Sequence, residues 1–185
     1  MPKPKLLILT GPQGSGNHMF AKIFSADKQV HGWKMTVEEW QGHHEEPFAL
    51  FWRKPSLLLE QTLKKKFYVT SISCPYFRNK QPQQPNYREF IKCAEKMFDC
   101  QLIILGRDKT ILKMQQQRLR TSHTTPKFLK HLKQLTASRL PTTFVSQELF
   151  FLYGAEYLKS LSTQTGFPIN HKNKQFVKQF LDFES

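Results

Sequence analysis

The chain has few cysteines and no long apolar run, and each shortage excludes a class of protein. Its three cysteines, Cys74, Cys93 and Cys100, show no CxxC spacing, which argues against a disulfide framework and favours reduced thiols in the cytoplasm. No apolar run approaches the roughly 20 residues that span a bilayer, so we expect no membrane partner. The apolar stretch Leu6–Leu9 is followed too soon by Gly-Pro for a signal peptide, which also favours a cytoplasmic protein.

Acidic residues are scarce as well. The 185 residues include 14 Asp and Glu against 28 Lys and Arg, which gives a formal net charge of +14. Such an excess favours anionic partners, namely nucleotides, nucleic acid or another polyanion. A basic surface that is merely solvated is the alternative, and the oligomeric state cannot be read from the composition.

Apolar patterning predicts strands that alternate with helices, without internal repeats. The predicted strands are Leu6–Leu9, Phe67–Ser73, Leu102–Leu105 and Thr142–Val145. The predicted helices are Asn17–Ser25, one beginning at Thr36, Pro55–Lys65, one capped by Asn86, one after Asp108, Thr124–Ala137, Gln147–Thr163 and Lys174–Phe183, and Asn79–Pro85 is a predicted loop. This order predicts a single domain over residues 1–185, with an α/β fold of three αβα layers around a mostly parallel central sheet.

A glycine-rich turn follows the first strand. Its spacing is G-x-x-x-x-G, and a helix begins directly after it. Glycines let successive N–H groups point inward, and the helix adds its free N–H groups and a partial positive charge. The pattern predicts a phosphate site of the P-loop type, built from Gly11, Pro12, Gln13, Gly14, Ser15, Gly16, Asn17 and His18. The alternative is a turn whose glycines serve packing only.

The loop lacks the two residues on which magnesium-dependent nucleotide hydrolases and kinases rely. Their loop ends in Lys, which brings charge to the phosphates, and in Ser or Thr, whose hydroxyl binds Mg²⁺. Asn17 and His18 stand at these positions. Asn17 carries no charge, and an imidazole is a poor ligand for a hard cation. Anion binding is still expected, because backbone groups supply most of it.

Two further segments fall at predicted strand ends, where parallel sheets bind their ligands. The first is Ser71–Pro75, in which Cys74 is predicted to be a small buried residue and not a nucleophile. The second contains Arg107, a candidate bidentate ligand for phosphate, and Asp108. Asp108 either holds a metal-bound water or caps the next helix, and these two roles are compatible.

The helix after Asp108 is polar on every side, which predicts that it lies on the surface or lines a cleft. Its polar run comprises Gln115, Gln116, Gln117, Arg118 and Arg120. One basic face that contacts phosphates of a nucleotide or a nucleic acid would also include Lys109, Lys113, Lys127, Lys130, Lys133 and Arg139. A solvated charged face is the alternative.

Three histidines are candidate catalytic residues. His18 would lie in the first helical turn beside the anion, and a structural role for it is an equal alternative. His43 and His44, followed by Glu45 and Glu46, offer a candidate general base. Adjacent side chains diverge, so no metal site is expected from these four residues. Core or lid packing is favoured over an acceptor pocket or a stacking platform for the nearby aromatic residues Trp33, Trp40, Phe48, Phe51 and Trp52.

The layout as a whole resembles the P-loop nucleotide-binding superfamily and, within it, the sulfotransferases. Ser15-Gly16-Asn17-His18 is similar to the end of their phosphate loop, and LIILGRDKTILKMQQQRLR is similar to their strand ending in Arg and the helix after it. The tail TTFVSQELFFLYGAEYLKSLSTQTGFPI resembles their strand, long helix and turn. The resemblance implies a transferase that moves a sulfuryl group from phosphoadenosine phosphosulfate to a hydroxyl or amine without magnesium.

The resemblance also implies roles for single residues. Gly14, Ser15, Gly16, Asn17 and His18 would hold the 5′ phosphosulfate, and Arg107 with Gln115 or Arg118 would hold the 3′-phosphate. Two alternatives stay open. One is a degenerate hydrolase or nucleoside kinase-like phosphotransferase that uses Mg²⁺ and ATP through Asp108 and Ser15. The other is a non-enzymatic nucleic-acid-binding or assembly protein, which would suit a viral genome.

Overall fold

The computed structural model describes residues 2–33, 46–78, 81–120 and 124–182. Within these ranges the strands are β1 (Lys5–Gly11), β2 (Val30–His31), β3 (Phe67–Ser73), β4 (Tyr76–Arg78), β5 (Gln81–Gln83), β6 (Asp99–Gly106) and β7 (Thr142–Ser146). The α-helices are α1 (Asn17–Ser25), α2 (Ala49–Arg53), α3 (Tyr87–Met97), α4 (Lys109–Arg120), α5 (Thr125–Thr136), α6 (Gln147–Thr165) and α7 (Lys174–Leu181). Pro55–Glu60 forms a 3-10 helix.

The main sheet has five parallel strands in the order β2-β3-β1-β6-β7. β1 lies at the centre because residues 6–9 are apolar on both faces of the strand and are fully buried. Its residue Leu9 is in register with Ser71 of β3 and Ile103 of β6. β4 and β5 form a separate antiparallel hairpin.

Helices cover both faces of this sheet, and each face has its own apolar core. Helices α1, α6 and α7 supply one core through Phe20, Phe24, Phe150, Val177 and Phe180. The opposite core receives Trp52, Leu58, Phe90, Phe128 and Leu135 from α2, the 3-10 helix, α3 and α5. Burying such a side chain stabilises the fold by about 1.5–3 kcal/mol. The predicted three-layer α/β fold with a parallel sheet is thus confirmed.

The two neighbouring strands β1 and β6 send the chain to opposite faces of the sheet. β1 is followed by α1 on one face, whereas the connection from β6 to β7 places α5 on the other. Such a reversal opens a crevice beyond the carboxyl ends of the two strands, which is where open α/β sheets bind ligands. The glycine-rich turn and Arg107 both lie there.

Two local predictions about helix ends are confirmed. Helix α1 has the predicted bounds, and Asn86 caps α3 by accepting a hydrogen bond from the Glu89 N–H at 3.2 Å.

Gly166 ends α6 with φ 63°, the left-handed conformation that glycine adopts readily. The same helix is interrupted at Gly154, where φ is 48°. None of the helices in the described ranges is long and apolar enough to cross a membrane.

Other local predictions are wrong. The predicted helix Pro55–Lys65 is a 3-10 helix that ends at Glu60, because the N–H groups of Lys64 and Lys65 donate to the Tyr68 hydroxyl instead of to helical carbonyls. Within the predicted loop Asn79–Pro85, residues 81–83 pair with β4 as strand β5. Strand β2 and helix α2 were not predicted, and the predicted helix start at Thr36 lies outside the described residues.

Candidate phosphate-binding site

The turn between β1 and α1 folds around two glycines in the left-handed region. Gly14 has φ 84° and Gly16 has φ 88°, which L-residues rarely adopt. A Cβ on Gly14 would also come within 2.8 Å of Gln115 Oε1. Helix α1 begins directly after Gly16, and within the described chain no side chain caps it. Its N-terminal N–H groups therefore face the crevice with their partial positive charge.

Asn17 holds this turn together from inside. The residue is 4% exposed, and its Nδ2 donates to Pro12 O, Ser15 Oγ and the Ser73 Oγ of β3, each at 3.2 Å. These acceptors fix the orientation of the amide, because the opposite orientation would set Oδ1 against the Pro12 carbonyl oxygen. Among the described residues, Asn17 Oδ1 and Gln13 Oε1 are buried acceptors without a hydrogen-bond partner.

The three predicted strand-end segments meet at this turn. The Cys74 N–H donates to Gly11 O at 3.0 Å, and Ser73 receives the hydrogen bond from Asn17. Arg107 reaches the turn from the other side, since its Nη1 donates to Gly14 O at 3.2 Å. Strands β3 and β6 thus hold the turn that follows β1 from both sides.

Arg107 is largely enclosed by its contacts. Its side chain is 7% exposed, and Nη1 donates at 2.9 Å to Gln115 Oε1 in addition to Gly14 O. Its Nε lies 4.0 Å from Oε1 of Glu148. The guanidinium therefore joins β6, the turn, α4 and the first turn of α6.

Glu148 is a site residue that sequence reasoning missed. Its Oε1 accepts the Asp108 N–H at 2.8 Å, and its Oε2 accepts the Ser146 hydroxyl at 2.9 Å. Partial burial raises the pKa of this carboxyl, but these hydrogen bonds and the Arg107 charge outweigh it, so the pKa is lowered and Glu148 is ionised at neutral pH. The only sequence feature that pointed to Glu148 was its position as an acidic residue in the first turn of α6.

Asp108 acts as the cap of helix α4. Its Oδ1 accepts the N–H groups of Thr110 and Ile111 at 2.8 and 3.0 Å. The capping alternative is thereby confirmed. Within the described ranges, no three His, Cys, Asp or Glu side chains are grouped as a metal site.

The polar run of helix α4 is not uniformly exposed as its composition suggested. Gln116 is only 2% exposed, whereas its neighbours Gln117 and Arg118 are exposed. The Gln116 Nε2 donates to Gln13 O at 2.7 Å, and its Oε1 accepts the N–H groups of Thr124 and Thr125 at 2.8 and 3.1 Å. This one amide connects the glycine-rich turn to the start of α5.

We expect Gln116→Leu to lower the free energy of unfolding by about 2–4 kcal/mol, because it leaves buried polar groups of the Gln13 and Thr124 backbones without partners. Urea denaturation of both proteins measures this loss. The control is Gln117→Leu, the same change at the exposed neighbouring position, which should stay within about 0.5 kcal/mol of the parent. Equal losses in the two variants would contradict the structural role of Gln116.

His18 lies in the first turn of α1, as predicted, and is half-buried. Its ring centroid is 5.0 Å from that of the buried Trp33. One turn further, Lys22 is buried and its Nζ lies 5.6 Å from the Trp33 ring centroid. Sequence reasoning missed Lys22, although a lone lysine among apolar helix residues was a visible signal.

The other candidate residues fall into three groups. His43, His44, Glu45 and Trp40 lie outside the described residues. The aromatics Trp33, Phe48 and Trp52 are buried, and Trp52 stacks on Phe90 at 3.7 Å, as the core interpretation predicted. All seven cationic residues of the candidate basic face whose side chains are described are exposed, namely Lys109, Lys113, Arg118, Lys127, Lys130, Lys133 and Arg139.

Cys74 is buried, as predicted, and burial raises the pKa of its thiol to about 11 against a smaller opposing effect of the Tyr87 hydrogen bond. Its thiol is therefore protonated at neutral pH, which does not suit a nucleophile. Glu46 is also buried, and the oxygens of its carboxyl group accept the N–H groups of Phe48 at 2.9 Å and Ser71 at 3.2 Å. These bonds place Glu46 against the edge of β3.

Comparison with known proteins does not assign a function to this chain. No protein-family model and no curated protein matches the sequence. Among solved structures, mouse sulfotransferase SULT7A1 complexed with PAP superposes on 98% of this chain with a TM-score of 0.48 and 13% sequence identity. The chain covers 64% of the length of that sulfotransferase. A likeness at this level assigns neither an activity nor a ligand.

Proposed function

We propose that this chain binds the 5′ phosphate end of a nucleotide in the turn of residues 11–18. The observation that carries the proposal is the turn itself: two left-handed glycines and an α-helix without a side-chain cap, at the crevice between β1 and β6. The net charge of +14 attracts an anionic ligand.

The buried acceptors of the turn favour a nucleotide over a bare anion. Asn17 Oδ1 and Gln13 Oε1 have no partner among the described residues. Native structures rarely leave buried acceptors unsatisfied. An inorganic phosphate dianion offers them no donor, whereas the hydroxyl and amino groups of a nucleoside do.

The finer proposal is that the nucleotide is phosphoadenosine phosphosulfate and that the chain transfers its sulfuryl group to a hydroxyl or amine. The supporting features are the resemblance of residues 15–18 to sulfotransferase loops and the absence of the Lys and Ser or Thr pair that magnesium-dependent phosphotransferases use. In such a transfer, one S–O bond to the nucleotide breaks, a new bond to the acceptor forms, and the acceptor proton passes to a base. His18, His43 and His44 are the candidates for that base.

The test is a thermal-shift titration of the full chain. At a concentration of 100 times its Kd, a ligand of the folded state adds about 2.7 kcal/mol, and the Tm of a chain of this size then rises by about 5–10 °C. We expect adenosine 3′,5′-bisphosphate to give this rise without magnesium. A rise only with ATP and Mg²⁺ would favour a phosphotransferase, and a rise only with oligonucleotides, lost at high salt, would favour a nucleic-acid-binding protein.

A pair of glycine variants shows whether the ligand binds at the turn. Gly16→Ala places a Cβ at φ 88°, which strains the turn, so the ligand-induced rise in Tm should largely disappear. In Gly106→Ala, the added Cβ approaches only Val145 O, at 3.9 Å, and the rise should persist. A rise that is the same in both variants would mean that the ligand binds elsewhere.

A further inference from the structure

The surroundings of Arg107 carry an inference about which ligands the site accepts. Resemblance to sulfotransferases assigns this arginine to a 3′-phosphate. In the structure, its Nη1 already donates to Gly14 O and Gln115 Oε1, and its Nε faces the Glu148 carboxylate at 4.0 Å. Arg107 thus already contacts three groups of the protein, and one of them is an anion.

Glu148 makes this position unfavourable for a second phosphate. Its carboxylate is held by the Asp108 N–H and the Ser146 hydroxyl, so it has a fixed place beside the guanidinium. A phosphate that approached Arg107 would meet an ionised carboxylate within a few ångströms and would have to displace part of the hydrogen-bond network of the largely buried Arg107 side chain. The arginine charge is already offset by that of Glu148.

The contact with Gly14 gives Arg107 a different role. Gly14 is one of the two residues of the turn that adopt the left-handed conformation. The direction of its carbonyl fixes the plane of the peptide bond to Ser15. Gln115 Oε1 accepts a hydrogen bond from the same guanidinium nitrogen and lies 2.8 Å from the position that a Cβ on Gly14 would take. Arg107 and Gln115 together therefore hold Gly14 in its left-handed conformation, in which the neighbouring Ser15 N–H donates to Pro12 O at 3.2 Å and closes the turn.

We propose that Arg107 is a positioning residue that shapes the phosphate-binding turn through Gly14, and that the site takes 5′-nucleotides without a contact from Arg107 to a 3′-phosphate. This inference rests on the proposed function, because it concerns the same turn. It changes the ligand class from nucleotides that require a 3′-phosphate to nucleotides recognised at their 5′ end. It also predicts that substitution of Arg107 lowers the affinity for ligands with and without a 3′-phosphate by the same factor.

The experiment compares two probes that differ only in the 3′-phosphate, adenosine 5′-monophosphate and adenosine 3′,5′-bisphosphate. Their Kd values are measured by calorimetry at one fixed ionic strength with the parent protein, Arg107→Met and Gln115→Ala. We expect Arg107→Met to weaken both probes by the same factor, roughly tenfold or more, as the loss of a hydrogen bond from a charged group to the turn would cause. Gln115→Ala should weaken both probes equally and by less.

The outcomes separate the two proposals. If Arg107→Met weakens the bisphosphate about tenfold more than the monophosphate, Arg107 contacts the 3′-phosphate and the inference is overturned. An unchanged Kd for both probes in Arg107→Met overturns it too, because the residue would then position nothing. If the parent protein binds neither probe, the proposed function fails, and the inference fails with it.

Two further variants test whether misfolding or the mere loss of one positive charge explains the result with Arg107→Met. Arg107→Lys keeps a cation that can reach Gly14 O, so it should recover part of the affinity for both probes, and it replaces Arg107→Met if that variant does not fold. Lys96→Ala removes an exposed cation from the last turn of α3, near the amino ends of the strands. Its Kd values should match those of the parent, which shows that loss of one positive charge is not sufficient.

Discussion

Asn17→Asp is expected to abolish the proposed phosphate binding and to lower the free energy of unfolding by about 2–4 kcal/mol. The substitution hardly changes the shape of the side chain, but it replaces the Nδ2 donor by an oxygen. That oxygen would face Pro12 O and the hydroxyls of Ser15 and Ser73 in a buried position. At least one donor–acceptor contact becomes a contact between two acceptors, and a carboxylate replaces a neutral amide beside the anion site.

The expected loss of affinity follows from electrostatics. Two unit charges about 4 Å apart near a protein surface repel each other by about 4 kcal/mol, which corresponds to roughly a thousandfold in Kd. A bound phosphate would meet such a repulsion from Asp at position 17. Urea denaturation measures the loss of stability, and calorimetry with adenosine 5′-monophosphate measures the loss of affinity.

The chain contains a matched control for this change. Asn173 caps helix α7, and its Oδ1 accepts the Phe176 N–H at 3.1 Å. Because Asp caps helices as well as Asn does, Asn173→Asp should change the stability by less than about 0.5 kcal/mol and leave binding unaltered. If Asn17→Asp proved as harmless as Asn173→Asp, Asn17 would not donate to the turn in the way the structure shows.

The segment from β1 to α1 could be predicted because its signals are local. Four apolar residues mark a strand that is buried on both faces, glycines mark the turn, and apolar residues at helical spacing mark α1 with the bounds found in the structure. The sequence also predicted that the segments containing Asn17, Ser73 and Arg107 lie at one edge of the sheet, although it did not predict which side chains contact each other there. Carboxyl ends of neighbouring parallel strands must lie together, whatever the side chains are.

The electrostatic surroundings of the site could not be predicted in the same way. Glu148 lies beside Asp108 although 40 positions separate them, and Gln116 contacts Gln13 across 103 positions. A single glutamine or glutamate in a polar helix has the same local pattern whether it is exposed or buried. Only the packing of α4 and α6 around the turn determines which polar side chains face inward.

The early end of the helix predicted after Pro55 also depends on a contact between segments that local sequence patterns do not reveal. Residues up to 65 have reasonable helical propensity, and nothing nearby stops a helix. The competing acceptor is the hydroxyl of Tyr68, which lies in β3 and takes the N–H groups of Lys64 and Lys65. A tertiary hydrogen bond thus overrides a local preference.

Glu46 should make the stability of the fold fall as the pH rises. Burial raises the pKa of its carboxyl from about 4.5 to about 8, and the hydrogen bonds from Thr70, Ser71 and Phe48 offset only part of this. The unfolded chain releases this proton near pH 4.5, whereas the folded chain keeps it until about pH 8. Between these values the folded state binds more protons, so the free energy of unfolding decreases with increasing pH.

The size of this effect is large for one residue. Each pKa unit corresponds to about 1.4 kcal/mol, so the protein should lose on the order of 4 kcal/mol of stability between pH 4.5 and 8 through Glu46. That is a substantial part of the 5–15 kcal/mol typical of a folded domain. Glu46→Gln removes the titration while it keeps an uncharged side chain of the same length. The amide supplies one acceptor to the Phe48 and Ser71 N–H groups, at a cost of about 1 kcal/mol at every pH.

The measurement is urea denaturation of the parent and of Glu46→Gln from pH 5 to pH 9. We expect the parent to be as stable as the variant or more stable at pH 5, and less stable at pH 9. Glu148→Gln provides a control whose profile should stay parallel to that of the parent from pH 5 to pH 9, because the pKa of Glu148 is lowered and its contribution to stability is lost only as the pH falls below the ordinary pKa of the carboxyl. Parallel profiles for the parent and Glu46→Gln would show that Glu46 is not buried against β3. Profiles that cross would identify this carboxyl as a buried acid that sets the pH range in which the fold is stable.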